Sequence, residues 1–310
     1  MPDKTGKTSP FDGIEFALES DIMPALLAHE TRRLETAKKV KTVIAAIVIV
    51  TAVLIIITAA AVKSGKMILN MPPFIAIGGT ACAIWAWTYF TKPLKLSAKY
   101  MLVGGLTGFL RWSYDAAGFT PLSVAVFRAL GLLPGRGTAQ KFEDQITGRV
   151  DGKYFVMHEM TLRTEGKNKV TTFQGQIFVV DCDRSFTGQT LVLRDRSKFG
   201  RASRGAIPGL KRAGLASPKF EKLFEVYTTD QVEARYLLPP DFMERIMDLE
   251  ASVDGNNIRF AFSKGKLYIA VETGNQFEPH GTFRSYTDRE PARKIIRELR
   301  AIHALIDELS

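Results

Sequence analysis

The sequence predicts an α+β fold in which an N-terminal two-helix transmembrane hairpin precedes a cytoplasmic domain with an antiparallel sheet and a few helices. Two long apolar runs lie close together in the N-terminal third of the chain. From Phe142 onward, short alternating segments are separated by turns that contain glycine. The predicted parts are an N-terminal helix in residues 1–40, the hairpin in 41–92, a juxtamembrane helical connector in 93–141 and the α+β domain in 142–310.

The residues before the first apolar run predict a cytoplasmic helix. Leu18, Ile22 and Leu26 recur at helical spacing. Acidic residues come early in this segment and basic residues come late, which is favourable for the helix dipole. The helix leads into the first apolar run, and Pro24 is the candidate position for a break.

The two apolar runs predict membrane spans at about 43–62 and 73–90. Val43 to Val62 contains no charged residue, and at about 1.5 Å per residue it reaches across roughly 30 Å of hydrocarbon. The second run ends in aromatic residues that suit the lipid headgroup level, namely Trp85, Trp87, Tyr89 and Phe90. A buried helix of a soluble core is the alternative for each run.

The basic flanks predict that both termini lie in the cytoplasm. Cations cluster before the first run and after the second, and the connector offers only Lys63 and Lys66. The cations that set this bias are Arg32, Arg33, Lys38, Lys39, Lys41, Lys92, Lys95 and Lys99. Cys82 lies in an apolar run and Cys182 lies far away in the domain, so we expect no disulfide, no metal site and no cofactor.

The stretch from Leu94 to Trp112 leaves two alternatives open. It is apolar, but it contains Lys95, Lys99 and Arg111, which are costly in lipid. We favour a helix that extends the second span into the domain over a third, shorter span. A third span would move the domain to the other side of the membrane.

The segment from 145 to 193 predicts an antiparallel meander of at least four strands. The expected strands are Gln145–Val150, Tyr154–Arg163, Val170–Cys182 and Thr190–Leu193. Asp151-Gly152 between two of them is a hairpin signal.

The C-terminal part mixes strands and helices. Phe220–Thr228 predicts a strand, Asp230–Leu237 a short helix or strand, and Pro240 a helix start. Ile258–Phe262 and Leu267–Val271 predict a hairpin across Ser263 to Lys266. The apolar stripe of Ile295, Leu299, Ile302 and Ile306 predicts a final helix over about 288–309.

Several segments resemble a bacterial membrane protein family of unknown function (domain of unknown function 3137). They are Phe142-Glu143-Asp144 with Gly148, the runs Phe173–Asp181 and Phe220–Leu238, Phe277-Glu278-Pro279, and the N-terminal residues Pro24, Leu26, Leu27, Glu30 and Arg32. The resemblance covers nearly the whole chain. It implies a multi-pass protein of the bacterial inner membrane, and it brings no activity, substrate or catalytic residue with it.

The segment from Arg194 to Arg212 concentrates positive charge. Seven cations stand against the single acid Asp195, a net charge of +6 in a chain whose net charge is +10. The candidate lipid-binding residues are Arg194, Arg196, Lys198, Arg201, Arg204, Lys211 and Arg212.

Three interpretations of this basic segment are open. It either contacts anionic lipid headgroups, at about 1 kcal/mol per nearby cation, binds nucleic acid, or stays solvated without a dedicated partner. We do not expect nucleic acid, because Phe199 is the only aromatic residue among the charges and base stacking has little to use.

An enzyme site near Asp181, Asp230 and Arg235 is the alternative function. Carboxylates with an arginine clamp could line a cleft, but no general base or nucleophile is placed beside them in the sequence. Adjacent residues such as His158 and Glu159 point to opposite faces of a strand and do not form a site alone. The sequence therefore favours a membrane-anchored cytoplasmic binding or scaffold module, whose partners would be the bilayer, anionic headgroups or another membrane-associated protein.

Overall fold

The computed structural model describes residues 9–64, 71–166, 169–182, 186–194, 209–215, 217–253, 255–277, 285 and 288–309. The chain forms two compact units. The helical unit consists of Leu18–Leu102 and Pro279–Arg289, and the sheet domain consists of Met1–Ala17, Val103–Glu278 and Glu290–Ser310.

The first apolar run lies in a long helical stretch. α1 (Ile14–Ala17) passes through a π-helical turn at Leu18–Ile22 into α2 (Met23–Lys63). Pro24 lies just after this turn, where the missing backbone N–H is accommodated by the changed hydrogen-bond register. The predicted N-terminal helix is confirmed, and Pro24 coincides with a distortion of the helix and not with its end.

The second apolar run continues as helix beyond its predicted end. α3 (Pro72–Lys99) is followed by a π-helical turn at Tyr100–Gly104 and by α4 (Gly105–Phe109). The residues from Leu94 to Phe109 therefore continue the second helix, as the favoured interpretation of this stretch predicts. The glycines that weaken this stretch as a separate helix lie at the π-helical turn and in α4.

The two long helices are apolar enough to cross a membrane by length and composition. They approach each other closely where Thr51 of α2 meets Gly79 of α3, since a Cβ atom at Gly79 would lie 2.3 Å from the Thr51 hydroxyl oxygen. Glycine therefore permits this approach. A Cβ atom at the neighbouring Gly78 would meet nothing within 4 Å.

Among the described residues, the sheet domain is built on nine antiparallel strands in the order β1-β2-β3-β4-β9-β8-β5-β7-β6. Their bounds are β1 Ser113–Asp115, β2 Ala139–Val150, β3 Lys153–Arg163, β4 Thr171–Asp181, β5 Thr190–Arg194, β6 Lys211–Ala213, β7 Phe224–Thr228, β8 Asn256–Ser263 and β9 Lys266–Glu272.

The predicted meander is right for three strands and wrong at the fourth. β2, β3 and β4 pair in sequence order, but the hairpin of β8 and β9 lies between β4 and β5. Thus Ile177 of β4 faces Ala270 of β9, and Leu191 of β5 faces Ala261 of β8. Local alternation predicts strands, but it carries no information on which distant strand completes the ladder.

Both tight hairpins follow from their turn residues. Asp151 and Gly152 have φ angles of 47° and 83°, and Lys264 and Gly265 have 52° and 71°. Two successive residues with positive φ define the turn whose twist matches the flanking strands. Both predicted hairpins are confirmed.

Helices cover the two faces of the sheet. α5 (Val124–Ala129) packs on the face of Met160 and Ile177, where Phe127 contributes to the core. α8 (Pro240–Ser252) and α9 (Glu290–Asp307) pack on the other face, where the Phe242 ring lies 5.8 Å from that of Phe262.

One predicted strand is wrong in its first half. Phe220–Thr228 begins with α6 (Pro218–Glu221), whose Phe220 backbone N–H donates to the Ser217 hydroxyl at 3.3 Å, and only Phe224–Thr228 is strand. The open alternative for Asp230–Leu237 is resolved as a helix, α7 (Gln231–Leu237).

We expect Gly79→Ala to destabilise the pairing of α2 and α3 by about 1–3 kcal/mol, because the added methyl group overpacks the contact with Thr51. Gly78→Ala is the matched control, since it brings the same gain in helix propensity without the clash. Unfolding by SDS titration in mixed micelles measures both. Equal changes in the two variants would contradict the close approach at Gly79.

Candidate functional site

The basic segment is described at its two ends. Arg196, Lys198, Arg201 and Arg204 lie outside the described residues. Arg194 ends β5, and its guanidinium Nη1 donates to Glu250 of α8.

The described cations of the basic segment differ in their accessibility. The Arg194 guanidinium also lies 5.2 Å from the centre of the Phe224 ring, so this residue is engaged within the domain. Lys211 and Arg212 are exposed on β6, the strand at one edge of the sheet. These two side chains are accessible to an anionic partner.

Asp181, the first residue of the alternative enzyme site, lies at the end of β4. Its carboxylate accepts a hydrogen bond from Lys266 Nζ on the neighbouring β9. This hydrogen bond raises the pKa of Lys266. Asp181 therefore helps to close the hairpin end of the sheet.

Asp230, the second residue, is the N-cap of α7. Its Oδ1 accepts hydrogen bonds from the backbone N–H groups of Val232 at 2.8 Å and Glu233 at 3.0 Å, as N-cap side chains do. Arg235 is exposed in the last turn of the same helix.

The structure does not bring these residues together. Asp181 follows β4 and Asp230 follows β7, and four strand spacings separate the two strands. At about 4.8 Å per spacing the two strands lie roughly 19 Å apart across the sheet. Asp181 and Asp230 each have a local structural role, and neither faces the other across a cleft.

A polar cavity lies elsewhere, on the face of the sheet that carries Glu159. It encloses about 150 Å³ and is lined by Lys141, Glu143, Glu159, Met160, Thr161, Arg163, Gln174, Gly175, Gly274 and Asn275. Glu159 is buried, and its Oε1 accepts the backbone N–H groups of Gln276 at 2.7 Å and Phe277 at 3.2 Å. This carboxylate thus holds the chain after β9 over the end of the sheet.

A second cavity of about 300 Å³ continues from the first around the open end of β2 and β3. It is lined by Ala139, Gln140, Lys141, Thr161, Arg163, Thr164, Glu165, Gly166 and Lys169. Three cations and one carboxylate stand in its wall. Sequence reasoning missed both cavities, because they depend on which strands become neighbours.

His158 is fully buried on the opposite face of β3 from Glu159. Its ring lies 4.8 Å from that of Phe119 and 5.9 Å from that of Phe142. Among the described residues, neither ring nitrogen has a hydrogen-bond partner. Burial lowers the pKa of His158 from 6.5 to about 4, so the ring is neutral at pH 7.

In the part of the chain that the structure describes, the geometry defines an α+β domain with a large antiparallel sheet, joined to a pair of long apolar helices. Within that class, residues 171–310 match the model of the family described as Protein of unknown function (DUF3137). This match confirms the resemblance of Phe173–Asp181 and Phe220–Leu238 to that family. The resembling segments before residue 171 lie outside the match.

One solved structure is similar to this chain, the crystal structure of the mycobacterial trehalose monomycolate transport factor A, TtfA. The likeness has a TM-score of 0.35 and 9% sequence identity, and it covers 68% of this chain and 92% of that chain. At this score it carries no argument about fold or function. No curated protein matches the chain.

We expect the pH dependence of stability to change in His158→Phe. The unfolded state binds a proton at His158 below pH 6.5 and the folded state only below about 4, so this group contributes stability above pH 6.5 and loses it as the pH falls. The loss amounts to about 3 kcal/mol between these values.

In the variant, the free energy of unfolding should fall less between pH 7 and pH 4, because the contribution of His158 is absent. Denaturant unfolding of the full chain, followed by near-ultraviolet circular dichroism, measures this free energy. His303, whose pKa burial also lowers, titrates in both proteins and serves as the internal reference. Parallel curves for wild type and variant would contradict the assignment to His158.

Proposed function

We propose that this chain is a membrane-anchored binding or scaffold module of the bacterial inner membrane. In this proposal α2 and α3 cross the bilayer as a hairpin, and the sheet domain works on the cytoplasmic side. The observation that carries the proposal is the apolar surface of α2, whose most hydrophobic stretch has no buried residue.

Water is a poor environment for this surface. Within the apolar run of α2, from Val43 to Val62, seven large aliphatic side chains are exposed, Ile56 to 68%, and they are Val48, Ile49, Val50, Val53, Leu54, Ile56 and Ile57. At about 1.5–3 kcal/mol for burying each side chain, partial burial of seven is worth on the order of 5–10 kcal/mol. This free energy is comparable to the stability of a typical domain. A bilayer around this helix would remove the apolar surface from water.

The aromatic residues of α3 support the same placement. Trp85 is 66% exposed, and its ring stacks on that of Tyr89 with 5.3 Å between centroids. Amphipathic rings of this kind are favoured at the headgroup level. Lys92 and Lys95 follow toward the domain, as the polar boundary requires.

The composition of the sheet domain supports an even number of crossings. Residues before α2 and residues after α3 belong to this one domain. The Phe11 ring lies 5.6 Å from that of His303, which in turn stacks on Trp112. Because both flanks of the apolar helices pack together, the chain has to return to the side from which it entered.

The basic flanks favour the cytoplasm as that side. Lys and Arg residues lie in the part of α2 before its apolar stretch and in the last turns of α3, and the connector is poorer in charge. The resemblance to bacterial membrane proteins supports the inner membrane as the location.

Binding is favoured over catalysis by the roles of the carboxylates at the alternative site. Asp181 accepts a hydrogen bond from Lys266, and Asp230 caps α7. An enzyme would require these groups to converge on one substrate, but they stand four strands apart. The exposed cations Lys211 and Arg212 instead offer contacts to an anionic surface.

Cysteine labelling tests the topology. In a chain with Cys82→Ala and Cys182→Ser, we expect Ser64→Cys, at the end of α2, to react with an impermeant maleimide in intact bacterial cells. Val232→Cys, 76% exposed on α7, should react only after permeabilisation. Labelling of Val232→Cys in intact cells would exclude a cytoplasmic domain, and protection of both cysteines in intact cells would exclude two crossings.

Photo-crosslinking tests the lipid contact. In nanodiscs with a photoactivatable phosphatidylglycerol, glutamine at Arg201, Arg204, Lys211 and Arg212 should reduce cross-linking severalfold, because each cation near an anionic surface contributes about 1 kcal/mol. Higher salt should reduce the wild-type yield as well. The control carries the same change in charge at exposed positions outside the segment, namely Lys219, Lys222, Arg235 and Lys264. Equal losses in both variants would remove the lipid role from the basic segment.

A further inference from the structure

The first half of β2 is an open edge of the sheet. β1 pairs only with Gln145–Thr147 of β2, and among the described strands none lies beside residues 139–143 on that side. A bulge at Asp144, with φ of 51°, separates the open stretch from the paired one. Ala139, Gln140 and Lys141 are exposed. The open stretch therefore offers backbone donors and acceptors to another strand.

The other edge of the sheet is different. It ends in β6, which has only three residues and two exposed cations, Lys211 and Arg212. Short charged edges of this kind resist the addition of strands. The open stretch of β2 is the longer of the two and has a cavity beside it.

That cavity favours an acidic occupant. Of the cations in the 300 Å³ cavity, Lys141 Nζ lies 2.6 Å from Glu143, whereas Arg163 and Lys169 have no carboxylate partner among the residues that the structure describes. Among the described residues in the wall of the cavity, Glu165 is the one acid. An incoming carboxylate would find two available cations there.

We propose that residues 139–143 of β2 bind an extended peptide segment that carries an acidic side chain. The segment adds a strand to the sheet through its backbone, and its carboxylate enters the cavity at Arg163 and Lys169. This mode combines main-chain affinity with a side-chain pocket for specificity. The inference rests on the proposed binding function and names the class of partner.

A second copy of this chain fits the edge less well. Two open stretches that pair antiparallel with full overlap share their centre, residue 141, so Lys141 of one copy meets Lys141 of the other. Like charges directly opposite each other in a ladder destabilise it. A partner with a carboxylate at this level removes the conflict.

The binding test uses the full chain in detergent micelles and two fluorescent hexapeptides. One alternates valine with glutamate and the other alternates valine with lysine, so both have the same β propensity and differ in charge. Fluorescence anisotropy should show at least tenfold tighter binding of the glutamate peptide. Equal affinities, or no binding of either peptide, would overturn the proposal.

Two proline variants test whether the backbone edge is used. In adjacent residues of a strand the N–H groups point to opposite sides, so in Gln140→Pro and Lys141→Pro one proline removes a bond to β3 and the other removes a donor from the open edge. The variant that keeps the wild-type melting temperature identifies the outward donor, and it should lose peptide binding by at least tenfold. Unchanged binding in that folded variant would overturn strand addition.

Charge reversal tests the cavity. Arg163→Glu should weaken binding of the glutamate peptide about tenfold, equal to 1.4 kcal/mol, and Arg235→Glu, at an exposed position of α7, should not. Equal losses of affinity in the two variants would show that the peptide responds only to the net charge of the chain, and they would overturn the proposed site. If the chain forms concentration-dependent dimers that the glutamate peptide does not dissociate, the edge binds a second copy of the chain. That result would contradict the proposal. Failure of these tests leaves the cysteine-labelling result intact, so the anchor and the peptide site are judged separately.

Discussion

The structure depends on one constraint: the sheet domain is completed by residues from both sides of the apolar helices. Phe11, which precedes α2, packs its ring against His303, and Arg300 lies over the same ring at 5.4 Å. Trp112, which follows α4, stacks on His303 with 6.3 Å between the ring centroids. The aromatic contact among these residues cannot form unless the chain has passed through the whole helical pair and returned.

The sheet imposes a second dependence on chain order. β4 remains without its second neighbour until the hairpin of β8 and β9 has formed, and the paired residues Ile177 and Ala270 are 93 positions apart in the chain. Gly175 marks how closely β4 and β9 approach, since a Cβ atom there would lie 2.0 Å from the Val271 carbonyl oxygen. Long-range pairing of this kind loses loop-closure entropy before the strand contacts that offset this loss have formed. The family match over residues 171–310 begins at the first residue of β4, so it contains both partners of this junction.

Local signals explain how much of the fold was predictable from the sequence. Asp151-Gly152 and Pro240 act through their own backbone preferences, and the hairpin and the helix start that they predict are present. Strand order and the two cavities depend on contacts between distant segments, which periodicity does not encode. The surroundings of His158 are of the same kind, because Phe119 precedes it by 39 residues and only the folded sheet places the two rings 4.8 Å apart. For the same reason, Asp181, Asp230 and Arg235 looked like a set in the sequence and are not one in space.

The distribution of charge connects the two proposed contacts. Several carboxylates of the domain are engaged internally: Glu250 with Arg194, Glu272 with Arg259, and Glu233 with the backbone N–H groups of Thr187 and Gly188. A chain with a net charge of +10 that uses its acids in this way leaves cations at its surface. Three of these surface cations stand at opposite edges of one sheet, Lys211 and Arg212 on β6 and Arg163 beside β2. One edge is short and suits a diffuse anionic surface such as headgroups, whereas the other combines an open backbone with a cavity and suits a defined acidic segment.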